Sequence, residues 1–61
     1  MKKSFRLEGS QIKLKEVIAL VGRARYEHII QEAKETFLQD PLTEIAFMTH
    51  HGILTIEFRL D

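Results

Sequence analysis

The feature that most constrains the fold of this chain is a glycine at which an amphipathic helical pattern changes phase. Apolar residues recur at the spacing of one helix face both before and after Gly22. At about 100° per residue, the second apolar stripe lies roughly 120° around the helix from the first. One straight helix cannot bury both stripes, so we predict two helices joined at Gly22, where glycine accepts the positive φ of a helix end. The first stripe is Leu14, Val17, Ile18 and Val21, and the second is Tyr26, Ile29, Ile30, Ala33 and Phe37.

A short strand is predicted before the first helix. Residues 2–8 alternate between polar and apolar side chains, which is typical of a half-buried strand. Gly9 ends this alternation, and Ser10 is a candidate N-cap for the first helix. The Gly9-Ser10 pair is also typical of a type II′ hairpin turn, so a β-hairpin is the alternative. That hairpin would pair Leu7 with Ile12 and Phe5 with Leu14.

The C-terminal third of the chain is predicted to form a β-hairpin. The second helix should run from about residue 24 to residue 39, because Pro41 cannot continue it and restricts Asp40. The hydrophobic period then changes to two, and His50-His51-Gly52 separates the two alternating runs. We expect Phe58 to be buried. The apolar positions of these runs are Ile45, Phe47, Leu54, Ile56, Phe58 and Leu60.

Together these elements predict a single α+β domain over residues 1–61, with an N-terminal strand, one or two helices broken near Gly22, and a C-terminal β-hairpin. A chain of 61 residues with no cysteine has neither a disulfide nor a thiolate metal site to stabilise it. Because 44% of its residues are hydrophobic, we expect a homodimer or larger homo-oligomer that covers the remaining apolar surface.

The charge of the chain is balanced overall but unevenly distributed. Nine basic and nine acidic residues give a formal net charge of zero, so nothing drives the whole chain toward nucleic acid or membrane. The first quarter is basic, and the acidic residues concentrate from Glu27 onward. No apolar run has the roughly 20 residues of a membrane span, and no signal-peptide pattern is present. We therefore expect a cytoplasmic protein that does not contact membranes.

Catalytic and metal-binding patterns are weak in this sequence. His50 and His51 are adjacent and His28 lies on the second helix, but no carboxylate or cysteine at ligand spacing completes a metal site. No hydroxyl stands in a recognisable arrangement with a histidine and an acid, and no glycine-rich phosphate loop occurs. We expect no enzymatic activity, no metal and no cofactor, with His50 and His51 in a solvated turn.

Two basic groups are candidate DNA contacts. Arg23 and Arg25 open the second helix, where exposed N–H groups and the helix dipole favour an anion such as DNA phosphate. Lys2, Ser4 and Arg6 lie on the outward face of the first strand, and side chains of this period can read base edges in a major groove. The alternatives are two solvated arginines and an ordinary edge strand protected by charge.

Three segments follow one another in a recognisable order: a short basic strand (MKKSFRL), a helix closing on glycine (IKLKEVIALVG) and a second helix (RARYEHIIQEAKETFL). Over residues 1–39 this order resembles the ribbon-helix-helix family of dimeric DNA-binding proteins. The resemblance implies that strands of two chains pair into an antiparallel ribbon, that outward ribbon residues read the major groove, and that the second helix's N-terminus holds phosphate. The matching positions are Gly22, Arg23, Glu27, Ile29, Glu32, Ala33 and Phe37.

Two functions follow from the sequence. The first is a small dimeric DNA-binding transcriptional regulator that uses a strand ribbon, with Lys2, Ser4, Arg6, Arg23 and Arg25 as its DNA contacts. The second is a β-α-β-β protein-interaction module or inhibitor, with one kinked helix from about residue 13 to residue 39 over a three-stranded sheet. A helix break at Gly22 favours the first, and a continuous helix favours the second.

Overall fold

The computed structural model describes residues 2–41 and 44–59. Its elements follow the order β-β-α-α-β-β, and its four strands form one antiparallel sheet in the order β2-β1-β4-β3. Both helices pack on the same face of the sheet, so the predicted α+β class is confirmed. The elements are β1 (Lys2–Leu7), β2 (Ser10–Ile12), α1 (Leu14–Val21), α2 (Arg23–Gln39), β3 (Ile45–Thr49) and β4 (Gly52–Arg59).

The two helices are separated at Gly22, as predicted. The backbone of Gly22 adopts φ 89° and ψ 151°, which a side chain would disfavour. Its N–H donates to the carbonyl of Ile18 at 2.8 Å and closes α1, while its own carbonyl accepts from Tyr26 at 2.9 Å within α2. The continuous helix of the β-α-β-β hypothesis is therefore wrong.

The first strand turns back on itself instead of leading directly into α1. Glu8 and Gly9, with φ of 50° and 85°, make the two-residue turn between β1 and β2, and positive φ at both positions is the signature of a type I′ turn. The interpretation of Ser10 as a helix N-cap is wrong, because Ser10 begins β2. The hairpin alternative is correct, but the observed register is shifted by two residues from the predicted one. A shift of two leaves each side chain on the same face of the sheet. The observed pairs are Leu7 with Ser10 and Phe5 with Ile12.

The hydrophobic core lies between the helices and one face of the sheet. Phe5 stands opposite Ile12 on one side and Ile56 on the other, so a single apolar row crosses the strands. Two aromatic pairs join this face to α2, with ring centroids 6.2 Å apart for Phe5 and Tyr26 and 5.3 Å apart for Phe37 and Phe58. The buried residues of the core are Phe5, Val17, Tyr26, Ile29, Ile30, Ala33, Phe37, Ile45, Leu54, Ile56 and Phe58.

The C-terminal hairpin forms the second half of the sheet. The turn between β3 and β4 lies at His50-His51, within the predicted His50-His51-Gly52, and Gly52 is the first residue of β4. The predicted burial of Phe58 is also confirmed, since only 8% of its surface is exposed. Leu60, which belongs to the same predicted apolar series, lies outside the described residues.

The position of β1 corrects the strand pairing that the family resemblance implies. β1 pairs with β2 on one side and with β4 on the other, so Phe5, Arg6 and Leu7 have strand neighbours of their own chain on both sides. A ribbon shared between two chains needs β1 as a free edge, and this sheet does not provide one there. The three-stranded sheet of the alternative hypothesis is likewise wrong, because β2 adds a fourth strand.

Candidate nucleic-acid interface

No helix of the described residues covers one face of the sheet, which we call the open face. Its side chains alternate with those of the core, and the strand register brings them into rows. Arg6 of β1 lies at the centre, opposite Gln11 of β2 and Thr55 of β4. Further along the same strands, Ser4 stands opposite Glu57, and Lys2 stands opposite Arg59. The centre of the open face is thus polar and carries donor groups from three strands.

Basic side chains outnumber acidic ones on these rows. The cations are Lys2, Arg6 and Arg59, and the acid among them is Glu57, whose Oε1 lies 3.3 Å from Nε of Arg59. Both members of this ion pair are substantially exposed, 69% for Arg59 and 48% for Glu57, so the pair contributes little to stability and exchanges readily with other partners. Glu44 and Glu57 border a cleft together with Ser4, Arg6 and Thr55, so acidic and basic groups are mixed there, and Lys2, Arg6 and Arg59 are the groups of these rows that can contact an anion.

Glu8, the acid that follows Arg6 on the same strand face, is held by the backbone of β4. Its Oε2 accepts a hydrogen bond from the N–H of Ile53 at 2.6 Å, and its own N–H donates to the Ile53 carbonyl at 2.9 Å. One carboxylate oxygen is thereby fixed at the turn end of the sheet. The residues nearer the other end, Lys2 and Ser4, are separated from it along β1 by Arg6.

Lys3 belongs to the opposite face. Its Nζ lies 5.8 Å from the centroid of the Tyr26 ring, which is within the range of a cation–π contact. The basic character of the N-terminal segment is thus divided between the two faces of the sheet. Only the even-numbered positions of β1 contribute to the open face.

The structure does not bring Arg23 and Arg25 together with Lys2, Ser4 and Arg6. Both arginines are exposed in the first turn of α2, on the helix-covered side of the sheet. Arg25 borders a cleft beside the β3–β4 turn, whose other lining residues are Leu20, Val21, Met48, Thr49, His50 and His51. The predicted DNA contacts therefore form two separate basic groups.

Three open-face residues were absent from the sequence-based set. The interpretation of Ser10 as a helix N-cap would place Gln11 in the first helix, and Thr55 and Arg59 alternate with the apolar residues of the last strand. The alternation in β4 shows that Thr55 and Arg59 share a face. No local sequence pattern shows that β4 lies beside β1, so that these residues join the same face as Arg6. The pairing of Lys2 with Arg59 connects residues far apart in the sequence.

The histidines lie where the sequence indicated. His50 and His51 occupy the exposed two-residue turn, and His28 is exposed on α2. Over residues 2–41 and 44–59, no three His, Cys, Asp or Glu side chains are grouped to hold a metal ion. No helix in the described ranges is long and apolar enough to cross a membrane.

Comparison of the chain with protein-family models, with curated proteins and with solved structures found no match.

Proposed function

We propose that this protein binds duplex DNA through the open face of its sheet and acts as a transcriptional regulator without enzymatic activity. The observation that supports this most directly is the row Gln11–Arg6–Thr55, which presents polar side chains from three adjacent strands on a face without helices. The proposal keeps Lys2, Ser4 and Arg6 as DNA contacts. It replaces the ribbon between two chains with a sheet formed within one chain.

The side chains of the open face match the chemistry of base edges. Arginine donates two hydrogen bonds to guanine O6 and N7, and glutamine pairs in the same bidentate manner with adenine. Arg6 and Gln11 lie side by side in the register, and Ser4 provides a hydroxyl that pairs with several bases. At about 4.8 Å between strands, β2, β1 and β4 span roughly 10 Å, comparable to the roughly 12 Å width of the major groove.

The remaining cations of the open face are assigned to the DNA backbone. Lys2 and Arg59 lie at the end of the β1–β4 pair, beyond the Gln11–Arg6–Thr55 row. Contacts from such positions fix the register of a protein on the duplex without reading sequence. Their ionic character makes the affinity depend on salt, with a slope of about 0.9 for each phosphate neutralised.

The experiment that tests the proposal is fluorescence anisotropy with labelled duplex DNA over a salt series. Arg59→Ala should lower the slope of log affinity against log salt by about 0.9. Arg6→Ala should reduce discrimination between DNA sequences by about 1–3 kcal/mol, the value of one bidentate base contact. Lys34→Ala is the matched control, since Lys34 is an exposed cation of α2 on the other side of the molecule. Absence of wild-type binding to any duplex at low salt would refute the proposal.

The protein-interaction hypothesis is favoured by a different observation. β3 is the outer strand of the sheet and exposes its backbone edge together with Met48, which is 71% exposed. Such an edge is suited to pairing with another chain. Failure to bind DNA together with pairing of β3 with a strand of a different protein would favour this hypothesis over the first.

A further inference from the structure

Over its described residues, the outer edge of β3 lacks the charges and prolines that commonly prevent strands from pairing between molecules. Its five residues, Ile45–Thr49, contain no charge and no proline, and no other described strand pairs with its outer side. Natural edge strands are commonly protected by charges, prolines, bulges or a covering element. An apolar strip adjoins this edge, because Met48 stands opposite Ile53, whose side chain is 44% exposed.

The hydrogen-bond pattern shows which backbone groups of β3 point outward. The backbone N–H and C=O of Ile53 both point toward β1, because the N–H donates to Oε2 of Glu8 and the C=O accepts from the Glu8 N–H. In an antiparallel sheet, the backbone N–H and C=O groups of successive residues point alternately to the two edges of the strand. Met48, opposite Ile53, therefore directs its N–H and C=O away from β4, and Ala46 does the same two residues earlier. The edge offers two donors and two acceptors in a regular ladder.

The two ends of this edge carry opposite charge. Beside the beginning of β3, a cleft is bordered by the carboxylates of Glu32, Glu35 and Glu44. Beside its end, a second cleft is bordered by Arg25, His50 and His51. We call these groups the acidic end and the basic end of the edge. Helix α2 contributes to both, because it runs along β3 in the opposite direction.

We infer that the partner of this edge is a second copy of the same chain, paired antiparallel about a two-fold axis at Phe47. In this register Ala46 bonds with the partner's Met48, and Met48 bonds with the partner's Ala46. The same register places Glu44 opposite the partner's His50, so the acidic end of each copy meets the basic end of the other. A parallel arrangement would bring like ends together. The result is a continuous eight-stranded sheet, and this inference does not rest on DNA binding.

The oligomeric state and its response to one edge charge test the inference. Sedimentation equilibrium of the wild-type chain should show a dimer of twice its 7.1 kDa mass. Met48→Lys should raise the dissociation constant by about tenfold or more, because a lysine on an edge strand opposes pairing. Leu38→Lys is the control: Leu38 is 76% exposed on α2 and borders neither cleft. A wild-type monomer at about 1 mM, the weak limit of specific association, would overturn the inference. So would a dimer insensitive to Met48→Lys.

A charge exchange tests the register itself. Glu44→Lys should weaken the dimer because it places a lysine beside the basic end of the partner, and His50→Glu should weaken it because two glutamates then face each other. The double variant should restore the dimer, because a lysine then faces a glutamate. Circular dichroism reports whether each variant is folded. Hydrogen exchange of the unmodified chain gives an independent result, since the amides of Ala46 and Met48 should become protected as concentration rises. A double variant no better than the single ones, with Ala46 and Met48 exchanging equally at all concentrations, would refute this pairing.

Discussion

At the scale of single residues, the contact between Glu8 and Gly52 joins the two hairpins of the sheet. Gly52 has φ 117°, and a Cβ there would lie 2.6 Å from Cγ of Glu8. The Glu8 side chain cannot move aside without losing its hydrogen bond to Ile53. Glycine at this position therefore allows a backbone conformation that residues with a side chain rarely adopt, and it leaves the space that Glu8 occupies.

Gly52→Ala should therefore destabilise the protein more than Gly9→Ala. Gly9 also has positive φ, at 85°, but a Cβ there would have no heavy atom within 4 Å, so its cost is backbone strain of about 1–2 kcal/mol. Gly52→Ala should cost about 1 kcal/mol more, because it also displaces a hydrogen-bonded carboxylate. Urea denaturation measures both values. Adding Glu8→Ala to Gly52→Ala should change stability little, and fully additive effects would contradict the contact.

Phe58 is the residue whose loss should affect the core most directly. Its ring packs 5.3 Å from that of Phe37 and links β4 to α2. Phe58→Ala should lower the free energy of unfolding by about 3–5 kcal/mol, a large part of the stability of a small domain. Thermal denaturation followed by circular dichroism measures this loss. Arg59→Ala, an exposed neighbour, serves as the control, and equal effects of the two substitutions would contradict the assigned core.

At the scale of elements, the sequence predicted those structures whose signal is local. The phase change at Gly22 located the break between α1 and α2, and the alternation after Pro41 located the C-terminal hairpin. β2 was ambiguous because its three residues are too short for a period to distinguish strand from helix. The position of β1 depends on its pairing with β4, which involves residues more than 40 positions apart. Hydrophobic spacing carries no information about that pairing.

Removal of residues 43–61 should abolish folding. β4 lies inside the sheet between β1 and β3, so its loss leaves β1 and β2 as an isolated hairpin under two helices. Two-stranded hairpins are barely stable in water. The amide spectrum of the truncated chain should collapse to the narrow dispersion of an unfolded protein. A truncated chain with a cooperative unfolding transition would show instead that the C-terminal hairpin is accessory to a separate core.

At the scale of the whole molecule, the positions of the charged side chains are more informative about ligand binding than the net charge. The formal net charge is zero, yet Lys2, Arg6 and Arg59 lie on the open face, where Glu57 pairs with Arg59. Pairing at β3 about a two-fold axis perpendicular to the sheet would place the open faces of both copies on the same side. With about 4.8 Å between neighbouring strands, the two β1 strands would lie roughly 24 Å apart. A dimer would therefore carry two polar surfaces on the same side of its sheet.

The candidate interface was only partly predictable because it is assembled by the sheet. Lys2, Ser4 and Arg6 share a strand, so their alternation is sufficient to place them on one face. Gln11 and Thr55 reach that face through the β1–β2 turn and the β1–β4 pairing. The arginines that open α2 are predicted as phosphate contacts from their place at a helix N-terminus, and the structure places them on the opposite side of the sheet from Lys2, Ser4 and Arg6.

The most direct test of the open face as a DNA-binding surface is an NMR titration of the isotope-labelled chain with duplex DNA at low salt. We expect the largest shift changes at Ser4, Arg6, Gln11 and Thr55, with little change along α2. Increasing salt should reverse these changes, because binding depends on phosphate contacts. Changes confined to Arg23, Arg25 and the β3–β4 turn, or no changes at all, would contradict the assignment of the open face.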